Sequence, residues 1–303
     1  MTEPAVDVVI VNWNSREYLA QCIASLDALE PHDADVRSVV VVDNASTDGS
    51  NEVTAARLPL EIVRNPTNLG FGAACNIGAR RGHAETILFL NPDARVDATS
   101  IARTVAALRE HADVWVAGAR LIDSNGRVQR TCCRAPTAAR MIARALGIDR
   151  VLPSLGYVMS DWPHDATRYV DHVIGAFYLI RRDAFERLGG FDERFFVYLE
   201  DLDLSMRVRA AGGKCLYVAD AMADHVGGGT TTSIKATRLF YSVRSRLQYA
   251  MKHFDLGSAA AIWAISLTVE PLVRTIVALL HRSLVEVGEV WNGYARVYRW
   301  VVQ

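Results

Sequence analysis

The sequence predicts an α/β protein, with a mostly parallel sheet flanked by helices and a helical C-terminal extension. Three observations lead there. Unbroken Val/Ile/Leu runs recur through residues 7–122, too continuous for a sheet with one wet face. Helix-like stretches alternate with them, as crossovers between parallel strands require. Beyond residue 233 the chain reads as mostly helical and turn residues become scarce.

In order, "DVVIVNWN" (7–14) reads as a buried strand and "SREYLAQCIASLDAL" (15–29) as a helix with Ser15 as N-cap. A strand at 38–46, a helix near 49–57 and a strand at 60–66 follow. "GFGAACNIGARRG" (70–82) reads as a helix, 86–94 as a strand, 98–111 as a helix and 114–122 as a strand. Residues 123–169, with scattered Arg, Pro and Cys, read as an insertion over the sheet edge. "HVIGAFYLIRRDAFERLGGFD" (172–192) returns to a strand, a short helix and a glycine stop. Next come "FFVYLEDLDLSMRVRAAGGK" (195–214), with a helix ending at Gly212-Gly213, and "CLYVADAMADHVGGGTTT" (215–232). The expected division is one domain over 1–233, in halves of about 1–122 and 123–233, and a helical unit over 234–303.

Half of the residues are hydrophobic, which excludes global disorder. The formal net charge is −1 and no long run carries one sign, which argues against a nucleic-acid surface. The five cysteines lack any CxxC pair and read as reduced, small apolar residues. The N-terminus has neither the basic start nor the long apolar core of a signal peptide, so a cytoplasmic location is expected. In the tail, 256–280 is the most apolar stretch, but Glu270, Pro271 and Arg274 interrupt it as a membrane span. Core helices, an oligomer-forming surface and helices in the membrane interface all remain open. The last draws on the alternation of apolar stretches with Arg274, Arg282, Arg296 and Arg299.

Ligands of open parallel sheets bind at the carboxyl ends of the strands. Polar residues gather there four times: Asn12, Trp13 and Asn14; Asp43, Asn44 and Ser46; Asn65, Asn68 and Gly70; Asn91 and Asp93. A series of four points to a small polar ligand such as a nucleotide. "GFGAAC" (70–75) is a poor dinucleotide fingerprint, because Cys75 replaces the third glycine and the motif follows the third strand. Asp93 reads either as a turn residue after Pro92 or as a ligand of a divalent cation. His225 precedes Gly227–Gly229 and Thr230–Thr232, a stretch suited to a loop closing over phosphates, and reads either as a hydrogen-bonded structural residue or as a second metal ligand.

"VVIVNWN", "VVVVDNASTDGS", "NPTNLGFGAACNIGARRG", "FLNPDARV", the run from "IGAFYLIRRDAF" through "FVYLEDLDLSMRVRAAG", and "DHVGGGTT" stand in the order seen in family 2 inverting glycosyltransferases. Over residues 5–232, and more weakly over 240–254, the chain resembles the bacterial rhamnosyltransferases of that family. The resemblance implies a GT-A fold, a nucleotide-sugar donor and a divalent cation, Mg²⁺ or Mn²⁺. It implies a donor pocket with Asn12 and Asn14, Asp43 against the base, and Asn68 and Gly70 near ribose and phosphates; Asn44 and Asn91 are counted with them. Asp93 takes the metal role of the family's DxD element, although Asn91-Pro92-Asp93 carries one of its two carboxylates. His225 matches a further metal ligand and Asp201 the catalytic base.

A single displacement needs one carboxylate to take the acceptor's hydroxyl proton. Adjacent helical side chains diverge by about 100°, so Glu200 and Asp201 cannot share one role. Glu200 is expected to orient the acceptor or to pair with a nearby base, and Asp203 to form a surface ion pair with Arg207. Arg244 and Arg246 read as surface charges or as phosphate contacts. The expected donor is dTDP-L-rhamnose, and the expected acceptor a polyprenyl-diphosphate-linked sugar, N-acetylglucosamine first. Another UDP- or GDP-sugar, a polysaccharide or soluble acceptor, and a catalytically inactive scaffold are the alternatives.

Overall fold

The computed structural model describes residues 5–30, 35–227 and 235–303. The apolar runs pair as expected: β1 (Val6–Asn12) lies between β2 (Val36–Asp43) and β4 (Thr86–Leu90), and β3 (Leu60–Arg64) flanks β2, all parallel. Every residue of β1 and β4 is buried, because helices cover both faces. One layer holds α1 (Glu17–Asp27) and α3 (Ala98–Glu110), with Leu19, Ile23, Ile101 and Val105 packed on Val8, Ile10 and Leu88. The other holds α2 (Phe71–Ala79), with Ala74 and Cys75 packed around Val9, Val42 and Phe89.

The second half makes the sheet mixed. β8 (Phe177–Arg181) runs antiparallel between β4 and β6 (Val114–Ile122). The long β9 (Lys214–His225) is parallel to β6 and antiparallel to both β5 (Ala94–Val96) and β7 (Arg168–Val170). Among the described residues the order is β3-β2-β1-β4-β8-β6-β9-β5, with β7 also on β9. The insertion carries β7, the helix α4 (Ala138–Ala145), which the Thr137 hydroxyl caps, and two 3₁₀ turns. After β8 come α5 (Arg182–Arg187) and α6 (Glu200–Ala210).

Two local expectations fail for one physical reason. Residues 49–57 form a turn and an irregular loop, not a helix. Asp48 takes the N–H and hydroxyl of Ser50, and Asp27 takes the N–H groups of Ala56, Arg57 and Leu58, so side chains displace the helical ladder. Ser15 does not cap α1: its hydroxyl is given to Asn12 Oδ1 at 2.5 Å, and the helix starts at Glu17 without a side-chain cap.

The C-terminal unit comprises α7 (Lys235–His253), α8 (Leu256–Ala264), a π-helical turn (Ile265–Val269), α9 (Glu270–Leu280) and α10 (Leu284–Val301). It shares a core with α6: Leu202 and Phe195 pack in one cluster with Val243, Leu247, Ile262 and Tyr294.

Candidate active site

The strand-end residues fall into two groups. Asn12, Asp43 and Asn44 are buried and bonded to their neighbours. Asn12 Nδ2 donates to Asp43 Oδ1 (2.8 Å), Ser46 Oγ and Ser50 Oγ, while Asp43 Oδ2 accepts from Ser46 N and Asn51 Nδ2. This web replaces the expected helix and fixes the 46–51 loop. Asn44 Nδ2 donates to the Gly70 carbonyl and its Oδ1 accepts from Asn65. Asn14, Asn68 and Asn91 are only partly buried. Asn14 has φ of 50° and accepts from Thr47 N; Asn68 Oδ1 accepts from Gly70 N.

Gly70 must be glycine. Its φ is 90°, and a Cβ there would lie 2.4 Å from the Phe196 carbonyl oxygen. That close approach lets Phe71 N donate to the same oxygen at 2.7 Å, tying the loop before α2 to the loop before α6.

Asp93 and His225 meet because β5 pairs with β9, Ala94 opposite His225. Asp93 Oδ1 lies 3.4 Å from His225 Nε2, and Asn91 Nδ2 is 3.4 Å from the same nitrogen. Asp93 Oδ2 accepts from Gly227 N. Gln129, which sequence reasoning missed, grips His225 from behind: its Oε1 is 2.8 Å from Nδ1, and its Nε2 donates to the His225 carbonyl. A proton on Nδ1 leaves the Nε2 lone pair facing Asp93, as metal-bound histidines are held. Among the described residues no three His, Cys, Asp or Glu side chains form a metal group. Two protein donors still suit Mg²⁺ or Mn²⁺, which take the rest of their shell from substrate phosphates and water. The glycine- and threonine-rich stretch after Gly227 lies outside the described residues.

The acidic run opens α6. Tyr198 and Leu199 precede it with φ of 72° and 65°, consecutive left-handed conformations in side-chain-bearing residues. Neighbours hold this turn: Phe196 stacks on Tyr241 at 4.6 Å, and Ser245 Oγ donates to the Val197 carbonyl. Asp201 Oδ2 then accepts from Gly175 N (2.7 Å) and Oδ1 from Leu202 N (2.8 Å). Gly175 admits the carboxylate, since a Cβ there would lie 3.1 Å from Oδ2. Next to Gly175, the Ala176 carbonyl accepts from Asn91 N, so the Asp93 segment and the Asp201 anchor meet across the β4–β8 pair.

Glu200 is buried with Oε2 unpartnered; burial, then the charge of Asp201, pushes its carboxyl well above the ordinary range. Asp203 corrects the expected surface pair. It does bond Arg207 Nε (2.8 Å), but it is fully buried and also binds Lys252 Nζ (2.6 Å) and His253 Nε2 (2.7 Å) of α7. Burial alone would raise its pKa; the bonds to His253 and Lys252 outweigh that and hold it low. Arg246 is also corrected. It is neither a surface charge nor a phosphate contact, because buried Glu270 takes its guanidinium at 2.5 Å. Arg274 joins the same carboxylate, and Arg244 lies over the Trp300 ring.

A family model described as "Glycosyl transferase family 2" matches residues 7–189, more than half of the chain. The chain belongs to that family. This family 2 glycosyltransferase is 28% identical over 257 residues to the N-acetylglucosaminyl-diphospho-decaprenol L-rhamnosyltransferase of Mycobacterium tuberculosis, covering 77% of this chain and 79% of that one. It is 23% identical over 267 residues to the rhamnosyltransferase WbbL of Escherichia coli K12, covering 80% and 92%. A mannosyltransferase from Pyrobaculum calidifontis, solved with GDP-Man and Mn²⁺, superposes with a TM-score of 0.56 at 19% identity, over 97% of this chain and 81% of that chain. The fold is GT-A, and the chain is a glycosyltransferase resembling rhamnosyltransferases.

Proposed function

We propose that this enzyme transfers L-rhamnose, with inversion, from dTDP-L-rhamnose to a hydroxyl of polyprenyl-diphosphate-linked N-acetylglucosamine at the cytoplasmic membrane face. The observation that carries the chemistry is Asp201, held by two backbone N–H groups beside the strand end that bears Asp93. The donor and acceptor follow the two rhamnosyltransferase relatives.

Asn14, Asn68 and Asn91 present polar groups to the donor, while Asn12, Asp43 and Asn44 shape the floor of its pocket, Asp43 below the base. Asp201 takes the acceptor hydroxyl's proton as that oxygen attacks the anomeric carbon and the nucleoside diphosphate leaves. Asp93 and His225 would hold the divalent cation, which when bound neutralises charge on the leaving diphosphate.

The C-terminal unit supports a membrane-surface site. Leu256–Leu280 is long and apolar enough to cross a membrane by length and composition. Glu270 faces inward to Arg246, whereas Leu272, Ile276, Leu279 and Leu280 form an outward stripe, each more than half exposed. Arg282, Arg296 and Arg299 are exposed nearby in sequence and suit anionic headgroups.

The test supplies dTDP-L-rhamnose, UDP- and GDP-sugars in turn, with the lipid-linked acceptor in vesicles. Rhamnosyl transfer that Asp201→Asn abolishes supports the proposal. Transfer from a different donor overturns the sugar, and unchanged turnover in Asp201→Asn overturns the base. Flotation with anionic vesicles checks the surface: a protein that stays at the bottom of the gradient refutes it.

A further inference from the structure

His172 lies between β7 and β8, where Cys133 N donates to its carbonyl, and its ring is buried behind Asp201. Its Nδ1 is 2.9 Å from Ser205 Oγ, which is 3.0 Å from the Tyr178 hydroxyl; its Nε2 is 3.7 Å from Asp201 Oδ2. Ser205 and Tyr178 are fully buried.

The proton order along this chain follows from what each group can donate. Burial pushes the Tyr178 phenol up, so it keeps its proton and donates to Ser205. Ser205 then gives its own hydrogen to His172 Nδ1. Burial lowers the His172 pKa, so the ring is neutral and its single N–H is at Nε2, facing Asp201. The opposite order would set a lone pair of Nε2 against the carboxylate.

Each carboxylate oxygen offers two lone-pair directions. Oδ2 uses one on Gly175 N and lies 3.7 Å from His172 Nε2; Oδ1 uses one on Leu202 N. We propose that His172, as the Nε2–H tautomer, is a positioning residue that holds Asp201 Oδ2 and so reserves Oδ1 for the acceptor hydroxyl. This rests on Asp201 being the base. At 3.7 Å the contact is beyond hydrogen-bond range, and such contacts tighten when substrates bind. The acceptor's proton goes to Oδ1, its oxygen bonds the anomeric carbon, and the bond to the diphosphate breaks with its electron pair on the leaving group. His172 keeps its proton throughout.

The titratable groups facing Asp201 are Glu200 of α6, Cys75 of α2, Cys133 of the insertion and Tyr178 of β8, besides His172. Burial pushes the first four up, so the two thiols and the phenol stay neutral near pH 7.

The experiment is the pH profile of rhamnosyl transfer in His172→Phe, His172→Gln, Ser205→Ala and Asp201→Asn. An N–H facing a carboxylate favours its charged form, and His172→Phe removes that N–H. His172→Phe should therefore lose about tenfold or more in kcat, keep the donor KM, and move the acid limb to higher pH. His172→Gln, whose amide N–H reaches the Nε2 position, should restore the limb and most of the rate. Ser205→Ala, which removes the hydrogen given to Nδ1, should fall between. A wild-type rate and limb in His172→Phe overturns the proposal, as does equal impairment in Phe and Gln variants. Should His172→Phe fail to fold, a wild-type limb in Ser205→Ala overturns it. Turnover retained in Asp201→Asn sinks the base itself; an inactive Asp201→Asn beside a normal His172→Phe sinks His172 alone.

Discussion

Replacing Glu200 with Gln should remove a charge that the fold already suppresses. The carboxyl is buried, Oε2 has no partner, and Asp201 is adjacent in sequence; all three oppose ionisation. Its folded pKa is therefore raised above the ordinary 4.5. The folded state then holds the proton that the unfolded chain releases, so stability falls as pH rises from that ordinary value to the folded one. The slope is about 1.4 kcal/mol per pH unit in that window. Burial lowers the pKa of His172 and His164, which gives the opposite slope below about pH 6.5, but both histidines are common to the two proteins. The measurement is the difference in urea-unfolding free energy between wild type and Glu200→Gln from pH 4.5 to 8. It should move toward the variant as pH rises, with transfer retained within about tenfold. A flat difference refutes the suppressed charge. A loss of about a hundredfold in kcat with the fold intact would show that the ionised carboxylate acts in the reaction.

Three further outcomes follow from contacts elsewhere in the site. Gly70→Ala must move the Phe196 carbonyl or abandon a φ of 90°; a loss of about 1–3 kcal/mol in urea unfolding is expected, with weaker nucleotide binding, and unchanged values of both refute the steric argument. Gln129→Ala should weaken Mn²⁺ binding about 10–100-fold, titrated with a nucleoside diphosphate present, because His225 loses the partner that sets its tautomer; equal affinity would remove His225 from the site. Glu270→Leu leaves Arg246 buried without its carboxylate and should cost about 3–5 kcal/mol in urea unfolding; adding Arg246→Met should recover most of it, and a single-variant cost below about 1 kcal/mol refutes the pair.

Strand positions were legible because burial on both faces writes continuous apolar runs, of Val and Ile in β1 and β2 and of Ile, Leu and Phe in β4. The meeting of Asp93 with His225 was legible from the residues only as one of two open readings, since the β5–β9 pairing joins positions 132 residues apart. Period and propensity could not find Gln129, His172 or Ser205, whose importance comes from what they touch after the chain has crossed the sheet. The helix expected at 49–57 failed where Asp27 and Asp48 bind backbone N–H groups, a competition no apolar period records. Arg246 misled because an Arg on a helix reads as surface charge until its carboxylate is located. Glu270 shares the tail with it, but nothing in the spacing of Arg246 and Glu270 reveals that the fold brings the two together.

The three carboxylates of "LEDLD" meet different surroundings because each step along a helix turns by about 100°. Glu200 points into the interior beside α2, where no cation pairs with it among the described residues, and its charge is suppressed. Asp201 turns to the strand ends and is held by N–H groups, which suit an ion without neutralising it. Asp203 turns to α7 and meets Lys252, His253 and Arg207, so it is ionised and committed. A proton acceptor for an alcohol must be ionised, reachable and without a neutralising cation in its first contacts. Glu200 fails the first condition and Asp203 the third. Asp201, with backbone donors and a neutral ring in place of a cation among the described residues, meets the last by its contacts and the second by its partial exposure. The same rotation ties α6 to α7. Through Asp203 and the Val197–Ser245 bond, the C-terminal unit grips the loop and helix that carry Asp201. A membrane contact made by that unit would therefore bear on the element that carries Asp201.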